Sequence, residues 1–92
     1  PAAMRYTECR MAPAALAILA PHLDHIVQVS DDEVAAAMRA IFTDTHNVAE
    51  GAGAAAFAAA MQERQQIAGQ SVGLALTGGN VDATVFARVL SS

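Results

Sequence analysis

Lysine is absent from this chain of 92 residues, and its five basic residues are all arginine. The absence excludes sites that need a lysine amine, such as a Schiff-base lysine, a P-loop lysine or a lysine general base. The formal net charge is −4 and the pI is near 5.0. Nucleic-acid binding requires clustered positive charge, so we expect no nucleic-acid partner.

Cysteine is also scarce, with Cys9 as its only occurrence. A single cysteine cannot form a disulfide within the chain, which is typical of proteins of the reducing cytoplasm. No apolar run reaches the ~18 residues that a membrane span needs. The first residues, 1–5, lack the charged-then-apolar order of a signal peptide. These features predict a cytoplasmic protein with no membrane partner.

The chain is rich in small apolar residues instead. Hydrophobic residues make up 54% of it and charged residues only 15%, with a mean hydropathy of +0.34. A domain of this size buries only about two-thirds of its unfolded surface, so such a composition is typical of an interior piece. We therefore expect residues 1–92 to form a single incomplete domain that belongs to a larger domain or associates with another chain.

Apolar periodicity and turn residues predict an alternation of helices and strands, which is an α/β pattern. The clearest local signal is Ser30 followed three residues later by Glu33, a capping box that starts a helix with Met38 on its apolar face. Two strands are too few for an independent sheet. The predicted elements are helix 13–20, strand 24–29, a helix from 31 to about 43–46, helix 52–66, strand 72–76 and helix 81–90.

The second predicted strand leads into a polar turn that is the first place to seek function. Thr77 follows the strand, Gly78 and Gly79 permit positive φ and close backbone approach, and Asn80 is a good N-cap. Ligands of open α/β sheets bind outside the carboxyl ends of strands. Two interpretations stay open: a strand-to-helix turn with its cap, or a backbone nest and hydroxyl that face a ligand.

Two other patterns offer weaker alternatives. The segment Glu50–Ala56 superficially resembles a dinucleotide-binding fingerprint, but it lacks the preceding strand and the later acid, so small residues for close helix packing are the better interpretation. Glu50 is either a capping acid or a functional carboxylate. No histidine or cysteine cluster has metal-ligand spacing, so we predict no metal site and solvated loop histidines. The residues considered were His22, His25, His46 and Cys9.

Three segments, in this order along the chain, resemble the threonine/serine dehydratases of the pyridoxal-phosphate fold type II family, which is similar to the tryptophan synthase β family. Ile26–Glu33 resembles the motif V-x-V-S-D-x-E of that family. Val48–Ala55 resembles V-x-E-[PG]-[AS]-G-A-A, and Val72–Asp82 resembles V-x-x-x-L-S-G-G-N-x-D. The resemblance covers roughly residues 22–90 and the C-terminal third of such an enzyme.

The resemblance implies an α/β fold in which this chain is the C-terminal portion of the large domain, with helices around an incomplete parallel sheet. It implies pyridoxal 5′-phosphate as cofactor, with the hydroxyl of Thr77 at the pyridine nitrogen where most relatives have serine or cysteine. Glu50 would lie close to the cofactor ring, and Gly78 and Gly79 would let the backbone approach it. A neutral hydroxyl at that nitrogen favours β-elimination from hydroxy-amino acids.

The Schiff-base lysine, the substrate loop and the phosphate loop of the family lie upstream of the matched segments. We therefore expect this chain to supply the pyridine-nitrogen side of the site and to be inactive alone. The implied partners are a hydroxy-amino-acid substrate, the N-terminal remainder of the enzyme and further copies in a homo-oligomer. The alternative is a non-catalytic α/β or helical module that associates through its apolar surface without a cofactor.

Overall fold

Helices dominate the computed structural model, which describes Ala2–Ala3 and residues 13–92. Cys9 lies outside the described residues. Four α-helices and two short strands are present among them. They are β1 (Ala2–Ala3), α1 (Pro13–Leu19), β2 (His25–Ile26), α2 (Asp31–Thr45), α3 (Gly51–Gln62) and α4 (Ala83–Leu90), with a 3₁₀ turn over Ala20–His22 between α1 and β2.

The predicted capping box at the start of α2 is confirmed. The backbone N–H of Glu33 donates to Oγ of Ser30 at 3.1 Å, and the Ser30 N–H donates to Oε1 of Glu33 at 2.8 Å. Acidic side chains in the first turn also suit the positive helix end. The helix ends at Thr45 and is followed by the C-cap His46, whose φ of 61° is left-handed and whose N–H donates to the Phe42 carbonyl. Both bounds agree with the sequence prediction.

The core lies between α2 and α3 and is closed by α4. Its buried members are small or aliphatic side chains, and Phe86 and Val89 of α4 pack against it. Phe86 meets Phe42 edge to face, with ring centroids 5.4 Å apart, a favourable geometry for an aromatic pair. Alanines along α3 let the helices approach closely, as predicted. The cluster consists of Val34, Ala37, Met38, Ile41, Ala49, Ala54 and Ala58.

The sheet is parallel but shorter than predicted. Ala2 pairs with His25 and Ala3 with Ile26. Within the described ranges, these are the two residues of the predicted strand 24–29 that are paired, and their described partner is the two-residue β1. A ladder ends where its partner ends, whatever the β propensity of the sequence.

The predicted buried strand 72–76 is wrong for the described residues. The segment has no regular secondary structure, and Val72, Leu74 and Leu76 are 46%, 42% and 49% exposed. A strand exists through its hydrogen-bonded neighbour, and among the described residues none pairs with this segment.

Two helix boundaries also differ from the predictions. Helix α3 ends at Gln62 and not at residue 66, since the polar residues that follow form turns and bury no continuous apolar face. Helix α4 begins at Ala83 with Asp82 in the N-cap position, so Asn80 is not its cap. No helix in the described ranges is long and apolar enough to cross a membrane.

Candidate functional site

The segment before α3 and the glycine turn before α4 lie against each other. The backbone N–H of Glu50 donates to the carbonyl of Gly78 at 3.1 Å. This long-range hydrogen bond joins two of the segments that carry the family resemblance. The structure therefore brings Glu50 next to the Thr77–Gly79 turn, although 28 positions separate Glu50 from Gly78 along the chain.

Glu50 occupies the N-cap position of α3 without capping it through its side chain. Its carbonyl accepts from the Ala54 N–H at 3.0 Å, but its carboxylate makes no cap hydrogen bond. A capping role for Glu50 would therefore rest on its charge at the positive helix end and not on a hydrogen bond. The half-buried side chain of Glu50 instead lies over Gly78. A methyl group on Gly78 would overlap Oε1 of Glu50 and lie 2.6 Å from its carboxyl carbon.

The turn itself uses both of its glycines. Gly78 has a φ of 75°, a left-handed conformation that a residue with a side chain adopts only at a cost. Gly79 passes close to the preceding segment, since a methyl group on it would lie 2.9 Å from the carbonyl oxygen of Val48. The Val81 N–H donates to the Gly79 carbonyl at 3.0 Å, so the chain turns tightly at Asn80 before α4 starts.

Thr77 is exposed, and its hydroxyl makes no hydrogen bond with any described residue. The backbone carbonyl of Thr77, by contrast, lies directly against Gly53 of α3. The backbone of Thr77 is thus fixed while its side chain is available to a ligand. The sequence predicted only helix packing for Gly53 and not this contact with Thr77. The signal was a glycine among alanines, which did not show what it would touch.

A cleft of about 370 Å³ opens beside Glu50, between α2, the start of α3 and α4. Its walls combine apolar side chains of α2 and α4 with polar ones that include Glu50 and Asn80. Thr77, Gly78 and Gly79 do not line it. Of the four predicted cofactor-binding residues, Glu50 alone faces this cleft, and the turn meets Glu50 through its backbone.

The histidines do not gather around one point in the described part of the chain. His25 bridges two carboxylates, with Nδ1 at 2.7 Å from Asp24 and Nε2 at 2.9 Å from Glu63. These partners raise the pKa of His25 above its usual 6.5, first through the hydrogen bond with Asp24 and then through Glu63. Among the residues described, no group of three or more histidine, cysteine or acidic side chains is placed to hold a metal ion.

Comparison with known proteins decides the family. A family model described as pyridoxal-phosphate dependent enzyme matches residues 3–78, which include Glu50, Thr77 and Gly78. The chain belongs to this family. Membership confirms the resemblance inferred from the three segments. It also confirms pyridoxal phosphate as the cofactor of the complete enzyme and implies the type II fold of this class of proteins.

Curated relatives carry the names of dehydratases and ammonia-lyases. A phenylserine dehydratase from Ralstonia pickettii is 44% identical over 70 residues, which cover 75% of this chain and 22% of that protein. An L-threo-3-hydroxyaspartate ammonia-lyase from Saccharomyces cerevisiae is 33% identical over 75 residues, or 82% of this chain and 23% of the relative.

An L-threonine ammonia-lyase from Thermotoga maritima is 31% identical over 70 residues, or 76% of this chain and 17% of the relative. The chain thus spans about a fifth of the length of these curated relatives. By name, these relatives act on phenylserine, L-threo-3-hydroxyaspartate and L-threonine.

The chemistry of Thr77 and Glu50 is compatible with one edge of the cofactor. Thr77 offers a neutral hydroxyl that no described residue engages, and Glu50 a carboxylate without a hydrogen bond to any described side chain. Gly78 and Gly79 follow Thr77 in the exposed turn, and their Cβ positions face the Glu50 side chain and the Val48 carbonyl. No residue of this chain can form the covalent link to the cofactor aldehyde, because the sequence contains no lysine.

Proposed function

We propose that this chain supplies the pyridine-nitrogen side of the cofactor site in a pyridoxal-phosphate-dependent ammonia-lyase that eliminates the β-hydroxyl of hydroxy-amino acids. The observation that carries the proposal is the hydrogen bond from the Glu50 N–H to the Gly78 carbonyl. It puts the Glu50 carboxylate and the Thr77 turn side by side, as a shared cofactor edge requires. The names of the relatives support the reaction class.

When bound, pyridoxal phosphate supplies an electron sink for the charge that develops at the substrate α-carbon. In this proposal Thr77 offers a hydroxyl to the pyridine nitrogen. An alcohol is too weak an acid to protonate that nitrogen and too weak a base to hold a proton there, so Thr77 leaves the nitrogen neutral. The electron sink is then moderate, which favours prompt loss of the β-hydroxyl over slower competing reactions.

Glu50 and the glycines have supporting roles in the proposed site. The Glu50 carboxylate, close to the cofactor ring, would add negative charge at its edge and would favour protonation of nearby groups less strongly than a direct contact would. Gly78 and Gly79 are exposed, with Glu50 and the Val48 carbonyl at their Cβ positions, and in this proposal a flat ring approaches the exposed part of their backbone. None of these roles requires a charged group at the nitrogen itself.

The wider setting of the chain is part of the same proposal. Residues 1–92 would form the C-terminal portion of the large α/β domain, with the exposed segment 72–76 as one of its strands. The catalytic lysine and the phosphate loop would come from the N-terminal remainder of the enzyme. The assembled enzyme would be a cytoplasmic homo-oligomer whose substrate is a hydroxy-amino acid.

The test is a chimera in which this chain replaces the matching region of the Ralstonia pickettii phenylserine dehydratase. We expect the chimera to bind the cofactor and to release a keto acid and ammonia from a hydroxy-amino acid. Thr77→Ser keeps the hydroxyl and should retain elimination. Thr77→Asp places a carboxylate at the nitrogen and should lower elimination by about tenfold or more, the scale of a lost transition-state interaction.

The assay would follow keto-acid release and the absorption spectrum of the bound cofactor. Unchanged elimination in Thr77→Asp would refute the role of Thr77. A folded chimera that binds no cofactor would refute the proposed function as a whole. Circular dichroism of each variant separates these outcomes from a failure to fold.

A non-catalytic association module is the second candidate, and the exposed apolar side chains favour it. Ile18 of α1 is 71% exposed, and Leu16, Val72, Leu74 and Leu76 each expose two-fifths or more of their surface. Such a surface is typical of a chain that binds a partner. If the purified chain forms a defined oligomer by light scattering and the chimera binds no cofactor, this second function is favoured.

A further inference from the structure

Gly53 is the third residue of α3, and at this point the helix lies against the backbone of the Thr77 turn. A methyl group built on Gly53 would overlap the Thr77 carbonyl oxygen, and would lie 2.8 Å from the Thr77 carbonyl carbon and 3.1 Å from the Gly78 oxygen. All three atoms belong to backbone. A flexible side chain could rotate away from an added methyl group, but these atoms move only if the turn moves.

Gly53 is not present for conformational freedom. It lies inside α3 with no positive φ, so alanine could adopt the same backbone and is the better helix former. Its neighbours in the helix, Ala52 and Ala54, carry the methyl group that Gly53 lacks. The contact with Thr77 is the feature of the described structure that requires glycine here.

Two further contacts fix the register of the same approach. The Glu50 N–H bonds to the Gly78 carbonyl at 3.1 Å, and Gly79 lies close to the Val48 carbonyl. Residues 77, 78 and 79 therefore face residues 53, 50 and 48 in turn. We call this set of contacts the glycine seam. Almost all atoms in the glycine seam belong to backbone. The seam therefore has too little space for even one added methyl group.

We propose that Gly53 is a positioning residue that sets how deeply the Thr77 turn seats on α3, and thereby where the Thr77 hydroxyl stands relative to Glu50. The seam follows from the contacts alone. Its consequence for the cofactor rests on the proposed function. An alanine at position 53 would push Thr77 outward and break the Glu50–Gly78 hydrogen bond, while the core residues of α2 and α3 stay in place.

The first experiment needs no cofactor. Amide hydrogen exchange of the Glu50 N–H is measured by NMR in the parent chain, in Gly53→Ala and in Gly73→Ala. Gly73 is the matched control, because a methyl group there would meet nothing within 4 Å. We expect Gly53→Ala to speed exchange of the Glu50 amide by about tenfold or more, the scale of one overpacked methyl group. Gly73→Ala should change it less than about twofold.

Both variants are also made in a His46→Gly background, which relieves the left-handed residue at the end of α2 and keeps a weakened variant folded. Exchange at amides within α2 reports the global stability of each protein. If Gly53→Ala speeds hydrogen exchange at the Glu50 amide no more than it speeds exchange at the α2 amides, the seam is refuted.

The second experiment places the same variants in the chimera. Displacement of Thr77 should shift the absorption maximum of the bound cofactor and lower kcat more than it raises KM, and Gly73→Ala should do neither. If the Glu50 amide responds but the spectrum and kcat match those of Gly73→Ala, the positioning role is refuted and the seam is upheld. If the parent chimera binds no cofactor while the exchange result holds, the proposed function fails and the seam again stands.

Discussion

Replacing Gly78 by alanine tests whether the Glu50 side chain covers the turn. Two penalties combine at this position. The φ of 75° is unfavourable for any residue with a Cβ, by roughly 1–2 kcal/mol. A methyl group would also overlap Oε1 of Glu50 and lie 3.2 Å from its Cγ. Because this obstacle is a flexible side chain, Glu50 can leave its preferred rotamer for about 0.5–1.5 kcal/mol.

Gly69 is the matched control for the first penalty. Its φ is 80°, and a methyl group there would meet nothing within 4 Å. Gly69→Ala should therefore lower the free energy of unfolding by the conformational term alone, roughly 1–2 kcal/mol. Gly78→Ala should lower it by roughly 1.5–3.5 kcal/mol, the sum of both penalties.

A double-mutant cycle with Glu50→Ala isolates the second penalty. In the Glu50→Ala background the overlap is gone, so Gly78→Ala should lower the free energy of unfolding about as much as Gly69→Ala does. The coupling between Glu50 and Gly78 is then about 1 kcal/mol, above the ~0.3–0.5 kcal/mol within which independent sites add. Coupling between Glu50 and Gly69 should be absent.

The assay is urea unfolding followed by far-UV circular dichroism, with the slope m compared between variants to confirm that only stability has changed. If Gly78→Ala has the same effect in both backgrounds, the carboxylate does not lie over the turn. The proximity of Glu50 to Thr77 would then rest on the backbone hydrogen bond alone.

Three further changes probe the frame around the site. Ser30→Ala removes the acceptor for the Glu33 N–H and should lower the free energy of unfolding by about 1 kcal/mol in urea titrations, whereas Ser30→Asp should keep most of it. Met38→Ala, at a residue 4% exposed, should lower it by about 2–5 kcal/mol, and equal stability would contradict the core assignment. Because the pKa of His25 is raised in the folded state, its protonated form stabilises the fold. This contribution to the free energy of unfolding is fully present below pH 6.5 and is lost as pH rises through the higher folded-state pKa. A pH series of melting temperatures should show this loss in the parent and not in His25→Gln.

Local signals made the capping of α2 predictable from sequence. Ser30 and Glu33 are three residues apart, and the bonds between them need no other part of the chain. The start of α4 was predicted wrongly, because Asn80 is a good N-cap residue but Asp82, two positions later, occupies the N-cap position. The hydrogen bond from the Val81 N–H to the Gly79 carbonyl closes a tight turn that leaves Asn80 outside the helix. The N-cap preferences of single residues do not predict this hydrogen bond.

Strands were predicted poorly for the opposite reason. The alternation of Val72, Leu74 and Leu76 describes side chains that suit a covered strand, but pairing depends on a distant backbone. The described residues supply a partner to His25–Ile26 and none to residues 72–76. The same exposed side chains support the proposal that this segment joins a larger sheet.

Only part of the geometry of the candidate site can be predicted from local sequence. The turn Thr77–Gly79 was singled out by its own residues, and the family resemblance linked it to Glu50, because no periodicity relates residue 50 to residue 78. Gly53 offers a different kind of signal. Within a helix of alanines, where alanine is the better helix former, a glycine without positive φ indicates that another backbone passes at that point. The partner is identified only by the fold, since a missing methyl group shows that something is close and not what it is. A glycine in such a context is therefore a local marker of a long-range contact, and here the contact is the turn that carries Thr77.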